Sequence, residues 1–245
     1  MKDSFEKVFE DVKTVIVITA HPDDLELYAG GTIARCLDLG IRVVSVRMTL
    51  GEKGSREDYI AESELKAIRK GEDTQAMSEL GVPARDCEYL DLGDGAVEYS
   101  IENISKLSYL FRKYQPDLLI THNPEDKIIR FAKDVNWINH RDHQNTGLLA
   151  IDAAYPYSRD RNFFSHHFSE DIKPARCTKF LLVDYYDHED TVNIDVTDFI
   201  SRRINAHAKH VSQYSLEDAK ASADFFTLKE GSDRRWESFR YVVAD

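Results

Sequence analysis

Thr14-Val15-Ile16-Val17-Ile18-Thr19-Ala20-His21-Pro22-Asp23-Asp24-Leu25-Glu26 is the stretch from which the fold is read. Residues 14–18 form an unbroken apolar run, mostly β-branched, as in a strand buried on both faces. Tyr28-Ala29-Gly30-Gly31-Thr32-Ile33-Ala34-Arg35-Cys36-Leu37 reads as a helix. The polar residues therefore sit where a strand turns into a helix, and in an open α/β sheet that carboxyl-end crevice is where ligands bind. Pro22 fixes its own φ and biases His21 toward extended geometry. That helps hold His21 and Asp24 in one turn as a ligand pair, with Asp23 between them free for other work. A plainer reading makes Asp23-Asp24 a helix cap with favourable charges at the positive helix end. A cap needs one aspartate, however, not a histidine and two carboxylates behind a buried strand.

Working outward, residues 41–49 read as a second strand, joined to the first by a helix of the right length for a right-handed βαβ unit. The expected class is α/β: a Rossmann-like three-layer sandwich with a mostly parallel sheet, one domain over residues 1–245. No G-x-G-x-x-G is present, since Gly30-Gly31 comes late and lacks a third partner, so a dinucleotide site is not supported. Leu50-Gly51-Glu52-Lys53-Gly54-Ser55 is a tight loop at the same sheet edge as His21. Residues 57–80 read as a helix ended by Gly81-Val82-Pro83, with Arg69 and Glu72 one turn apart as in an ordinary surface pair. Cys87 to Leu90 is a short strand, and Asp91 to Gly95 a loop with two acids and two glycines. In 101–114, Ile101, Ile104, Leu107, Leu110 and Phe111 form the core stripe of an amphipathic helix.

The next buried strand, 116–121, ends at His122-Asn123-Pro124-Glu125-Asp126. Residues 127–138 read as a loop over the site rim and lead into a second polar cluster, Asn139-His140-Arg141-Asp142-His143-Gln144-Asn145, with a helix expected from 146 to 154. Residues 155–175, with seven aromatic or histidine side chains, either wall a substrate pocket or pack under a long loop. Strands are expected at 178–186 and 191–195, a long helix from 196 to about 214 with His207 and His210 on a polar face, and another helix over 219–230. Trp236, Phe239 and Tyr241 are expected to pack a C-terminal segment onto the domain.

With 245 residues, 42% hydrophobic, the chain suffices for one large core. A formal net charge of −12 argues against broad nucleic-acid or anionic-membrane binding, which need a basic face. No apolar run is long enough to span a membrane, and the charged N-terminus lacks a signal core. Cys36, Cys87 and Cys177 are odd in number and far apart, so neither a zinc-thiolate spacing nor a disulfide framework is expected, and a reducing cytoplasm is the default.

Catalytic zinc sites use three protein ligands and leave one position for water. His21 and Asp24 supply two, and His143, or less readily His140, the third. Two such clusters, each beside a strand end, point to one metal-dependent centre.

Ala20-His21-Pro22-Asp23-Asp24-Leu25-Glu26 followed by His140-Arg141-Asp142-His143 resembles the N-acetylglucosaminyl deacetylase family, the PIG-L or LmbE-like zinc enzymes. Thr49 to Gly54 is similar to the family's T-x-G-E-x-G loop, Arg69-Lys70-Gly71-Glu72 to its R-x-x-E helix, Pro116 to Asp126 to its strand and loop before the third ligand, and Asp195 to Asp198 with His210 to Gln213 to its late helix. The resemblance covers roughly residues 14–240. It implies His21, Asp24 and His143 as zinc ligands, with zinc replaceable by another divalent ion. It implies Asp23 as general base, His140 as oxyanion stabiliser with Asp142 as its partner, and Glu52 and Arg69 as sugar contacts. The chain departs from the family in the 127–138 insert, and a tyrosine some members place near the oxyanion is not evident, since Ile138 stands two residues before His140. The function implied is deacetylation of an N-acetylated amino sugar of GlcNAc type or its conjugate, a small-molecule substrate. Two alternatives stand beside it: an amidohydrolase for another N-acyl amine, and a non-catalytic sugar- or nucleotide-binding module. A homo-oligomer is permitted but not required by these residues.

Overall fold

The computed structural model describes residues 1–55, 59–169, 171–183 and 188–244. Its elements in chain order are α1 (Phe5–Phe9), β1 (Thr14–Thr19), α2 (Asp24–Asp38), β2 (Arg42–Arg47), α3 (Glu62–Leu80), β3 (Cys87–Tyr89), α4 (Ile101–Tyr114), β4 (Leu118–Thr121), β5 (Ile128–Ala132), β6 (Val135–Ile138), α5 (Arg141–Asp152), β7 (Lys179–Leu182), β8 (Thr191–Asp195), α6 (Ile200–His207), α7 (Leu216–Thr227) and β9 (Trp236–Val243).

Seven strands form one sheet in the order β3-β2-β1-β4-β7-β9-β8. The first five pair in parallel, while β9 is antiparallel to both β7 and β8. This is the mostly parallel α/β sandwich that the apolar runs imply. β1 is buried along nearly its whole length because helices cover both faces of the sheet. One core gathers α1, α2 and the inner end of α3, and the other gathers α4 and α5. From β1 the chain winds outward through β2 to β3, then returns to β4 on β1's other side and proceeds to β7. The strand order thus reverses between β1 and β4, and the crevice beyond their carboxyl ends is the expected place for a site.

Several expected boundaries move. α2 begins at Asp24, and α5 begins at Arg141 rather than 146, so both polar clusters lie in first helical turns. Residues 127–138, expected as a loop, are instead the antiparallel hairpin β5–β6, with Ile129 paired to Trp137. The C-terminal segment is a full strand inserted between β7 and β8. Its partner strands are distant in sequence, so nothing local announced the pairing. α6 ends at His207, and the chain then turns through 208–214. His207 and His210 are fully buried, not a solvated face, because α6 packs across α2 and α3. Residues 57–58 of the expected helix and 184–186 of the expected strand lie outside the described residues.

The aromatic stretch resolves to packing. Buried Arg112 of α4 donates to the carbonyls of Tyr157, Ser158, Asp160, Phe163 and Phe164 at 2.8–3.2 Å. Tyr157 and Phe164 rest on the α4–α5 core. One guanidinium thereby satisfies five carbonyls of a segment with little regular structure.

Glycine spacing is explained by close approaches rather than by a phosphate loop. A Cβ on Gly31 would stand 2.5 Å from Val196 Cβ, and one on Gly30 would stand 2.9 Å from Arg203 Cγ. In α5, a Cβ on Gly147 would stand 2.5 Å from the His122 carbonyl oxygen. Alanine in a helix interior ordinarily gains about 1 kcal/mol over glycine. Here that gain is opposed by an overpacking cost of about 1–3 kcal/mol against rigid backbone. Gly147→Ala is expected to lower the urea midpoint of unfolding, whereas the open Gly71→Ala in α3 raises it. Equal, stabilising shifts for both would show that α5 does not bear on the end of β4.

Candidate metal centre and cleft

His21 follows β1, and its turn is held by Asp24 Oδ2, which accepts from the His21 backbone N–H at 2.8 Å. Asp23 occupies the N-cap position of α2, yet its side chain makes no capping bond, so the plain helix-cap reading fails. Its φ of 95° is a left-handed conformation uncommon for a residue with a Cβ. Arg69 of α3 holds it there. Its guanidinium donates to the Pro22 carbonyl (2.9 Å), to Asp23 Oδ2 (3.1 Å) and to the Gly51 carbonyl (2.8 Å). Gly51 and Gly54 make room for that guanidinium, since a Cβ on either would stand within 2.8 Å of an Arg69 nitrogen.

His143, in the first turn of α5, meets the β1 turn across the switch point. His21 Nδ1 lies 3.2 Å from His143 Nε2. Asp24 Oδ1 lies 3.3 Å from His143 Nε2, and Asp24 Oδ2 3.6 Å from His21 Nδ1. Donor atoms about 2.0–2.1 Å from a tetrahedral zinc ion stand roughly 3.3–3.4 Å apart. The two Asp24 oxygens each face one of the imidazole nitrogens at close to that spacing, and with one ligand atom from each residue lying within 4.8 Å of the others, His21, Asp24 and His143 form a candidate metal-binding group.

Around this triad the environment is acidic. His21 Nε2 faces Asp94 Oδ1 at 3.2 Å and Asp142 Oδ2 at 3.4 Å. A ligand histidine backed by carboxylates is the usual outer arrangement of metal sites. Burial works against the charged form of His21, but Asp142, Asp24 and Asp94 outweigh it and raise its pKa well above the ordinary value. For Asp24 burial works against ionisation, and His143 and His122 hold its carboxyl well below the usual range. His143 is lowered by burial, against the pull of Asp24. Asp23 is pushed up to about 6 by burial, with Arg69 opposing.

Not every residue stands where the resemblance placed it. His140 lines the cleft, half exposed, with its ring 4.9 Å from that of His21. Asp142 donates its backbone N–H to His140 Nδ1 at 3.2 Å, while its carboxylate stands 4.0 Å from that nitrogen and accepts from the backbone N–H groups of Gly95 (2.6 Å) and Val97 (3.2 Å). Burial, then the neighbouring His21 charge, lowers the His140 pKa despite Asp142. Glu52 is buried and accepts from the Asp94 N–H at 2.9 Å, so it shapes the 91–95 loop and is not among the cleft-lining residues. Arg69 does line the cleft, but it does not pair with Glu72, which accepts from Ser212 N–H and Oγ at 2.7 Å.

Three contributors went unassigned in the sequence. His122, at the end of β4, stacks on His143 with ring centroids 4.0 Å apart and accepts from the Ala20 N–H at 3.1 Å. Its place at a strand end was the available signal. Asp94 enters the cleft from the acid- and glycine-bearing 91–95 loop, and Tyr214 from the position after the His210 to Gln213 stretch, neither of which was given a role by its local pattern. Behind the turn, Glu26 meets His210 at 3.0 Å, and Arg47 pairs with Asp73 at 2.9 Å, all four fully buried. The cleft has a volume of about 340 Å³, polar at the triad and apolar toward the β5–β6 hairpin.

Together these features define a Rossmann-like protein with a candidate metal centre at the carboxyl edge of its sheet. The chain belongs to the PIG-L, or GlcNAc-PI de-N-acetylase, family, whose model matches residues 16–154. It is 28% identical over 209 residues to the diacetylchitobiose deacetylase of Thermococcus kodakarensis, covering 84% of this chain and 72% of the relative. Among solved structures it is similar to N,N'-diacetylchitobiose deacetylase from Pyrococcus horikoshii in complex with an inhibitor. That match has a TM-score of 0.81 and 30% identity, and covers 98% of this chain and 87% of the other. It also shares 28% identity over 119 residues with a 4-oxalmesaconate hydratase of Pseudomonas putida, covering 46% of this chain and 45% of the relative.

The Asp23 shift makes a prediction for metal-free protein. A carboxyl whose folded pKa is raised contributes stability below its unfolded value near 3.8, lost as pH climbs through about 6. Metal-free Asp23→Asn should therefore exceed the wild type in unfolding free energy at pH 7–8 by about 1–3 kcal/mol, and the two should converge near pH 4. A variant less stable than wild type at pH 8 would show that the Arg69 pair outweighs the burial of Asp23.

Proposed function

We propose that the protein is a zinc-dependent deacetylase of an N-acetylated amino sugar of GlcNAc type or its conjugate, with His21, Asp24 and His143 as metal ligands and Asp23 as general base. The observation that carries this reading is the convergence of His21, Asp24 and His143, one possible ligand atom from each within 4.8 Å of the others, beside a buried carboxylate in an open cleft. Family membership and the similarity to two diacetylchitobiose deacetylases, over 72% of one and 87% of the other, support it. The sequence similarity to a hydratase spans under half of either chain, and the likeness to a hydratase structure, at 18% identity, speaks to the fold alone. Three unpaired cysteines fit a reducing cytoplasm, and among the described residues no helix is long and apolar enough to cross a membrane.

The donor set of two imidazoles and a carboxylate suits zinc, and a second divalent ion of similar size would be accepted. The ion, when bound, supplies Lewis acidity that polarises the acetamide carbonyl and acidifies water toward neutral pH. Asp23, held by Arg69 beside the triad, takes a proton from the attacking water as its oxygen bonds to the carbonyl carbon. In the metal-free protein burial raises the Asp23 carboxyl above the ordinary range, the direction that favours accepting a proton. His140 lines the cleft where it can donate to the developing oxyanion. As the C–N bond breaks, the leaving nitrogen takes a proton from Asp23 or His140, giving acetate and the free amine. Asp94 and Asp142 orient His21, and Asp142 also ties the 91–97 loop to α5.

The test combines metal analysis with acetate release. Protein reconstituted with zinc should carry one ion per chain and release acetate from N-acetylglucosamine conjugates. Asp23→Asn should lose about 10²–10⁴-fold in kcat with the ion retained, and His143→Ala should lose the ion itself. A chain that takes up no divalent ion, or whose Asp23→Asn variant keeps full turnover, would defeat the assignment.

A further inference from the structure

We infer that the β5–β6 hairpin is a platform for the part of the substrate beyond the acetylated sugar, and that this part is an uncharged saccharide ring seated on Trp137. The inference rests on the deacetylase reading above and deepens it.

The two ends of the cleft differ in chemistry. The inner end carries the triad with Asp23, Arg69, Asp94 and His140. The outer end is apolar, with Ile129, Trp137 and Ile138 of the hairpin facing Leu27, Tyr28 and Tyr214. Trp137 is 45% exposed and Ile138 71% exposed, and both line the cleft, so their apolar surface is open to a ligand seated there. The indole is fixed rather than loose. Its ring packs edge-on against Phe131 at 4.9 Å and lies nearly parallel to Phe225 at 6.2 Å. Phe131 packs on Tyr28 and Phe226, and Tyr28 sits edge-on to His122 and His143. A continuous run of rings thus joins the outer platform to the metal-ligand histidine, fixing the distance between them. A rigid indole with a large apolar face and a polar edge suits a pyranose, whose axial C–H groups make one apolar face and whose hydroxyls point outward.

Charge narrows the choice. A conjugate bearing a carboxylate or phosphate needs a cation at the outer end, because burying an unpaired anion is costly. Among the described residues lining the cleft, Arg69 is the one guanidinium or ammonium group, and it is committed to Asp23 and two carbonyls at the inner end. Among the described residues, the outer end offers no guanidinium or ammonium group to an anion. The geometry therefore favours a neutral glycan over an acidic or phosphorylated aglycone.

Two measurements test this. The first is substrate preference, taken as the ratio of kcat/KM for N,N'-diacetylchitobiose to that for N-acetylglucosamine. In Trp137→Ala it should fall about tenfold, through KM, as expected for uncovering some 50–60 Å² of apolar contact at about 25 cal/mol/Å². Trp137→Phe should restore most of it. The second needs no turnover. The other tryptophan, Trp236, is buried, so quenching of indole fluorescence by N,N'-diacetylchitobiose reports on Trp137 and should vanish in Trp137→Phe. An unchanged preference ratio, a fall in kcat alone, or a higher kcat/KM for an N-acetylglucosaminyl malate than for the disaccharide would each overturn the inference. So would a Trp137→Ala variant that only changes oligomeric state. If no substrate yields acetate, the deacetylase reading falls, and the fluorescence titration still decides whether the platform binds a disaccharide.

Discussion

A single buried carboxylate, Asp24, gathers the site. It accepts from the His21 backbone and lies within 3.6 Å of ring nitrogens on His21, His122 and His143. Those histidines arrive from the turn after β1, the end of β4 and the start of α5. In a low-dielectric interior one negative charge among three imidazoles stays ionised and organises all of them. The reversal of strand order between β1 and β4 is what places the three segments within reach.

Around Asp24 the protein keeps its neighbours apart in role by burial and charge. Asp23 and Asp24 are adjacent in sequence, yet one carboxyl is raised to about 6 and the other is held well below the usual range. Burial acts on both, and what separates them is the company: histidines on Asp24, a single arginine on Asp23. The left-handed backbone at Asp23 turns its side chain toward Arg69 and away from the capping role that the helix start would otherwise give it. Local strain and an unfavourably buried acid are tolerated because α3, anchored through Glu72 to Ser212, brings Arg69 to that point.

The turn also rests on a polar layer beneath it. Glu26 with His210 and Arg47 with Asp73 are fully buried pairs under the first turn of α2. Buried ion pairs contribute little net stability once desolvation is counted, but a mispaired one is costly, so they fix the register of α2 against β2 and the 208–214 turn. Arg203 and Glu237 do the same further along, reaching the Leu27 carbonyl and the Gly31 and Thr32 N–H groups within α2. The Gly30-Gly31 pair makes way for this packing.

Local pattern alone decided the parallel sheet and both polar clusters. β-Branched runs bury on two faces whatever their surroundings, and a strand followed by His-Pro-Asp-Asp and a helix delivers those side chains to the sheet's carboxyl edge. Long-range pairing decided the rest. The 127–138 segment became a hairpin because Ile129 and Trp137 could pair over the cleft. Residues 236–243 became an inner strand because β7 and β8 offered two open edges. His207 and His210 left the surface because α6 packs across α2 and α3. The partners of Asp142 and Glu52 lie on the 91–97 loop, more than forty residues away from each, and no spacing in a linear chain encodes which backbone amide a carboxylate will find. Periodicity and motif reach only as far as neighbours along the chain, while charge pairing and strand insertion depend on which distant segments the fold brings together.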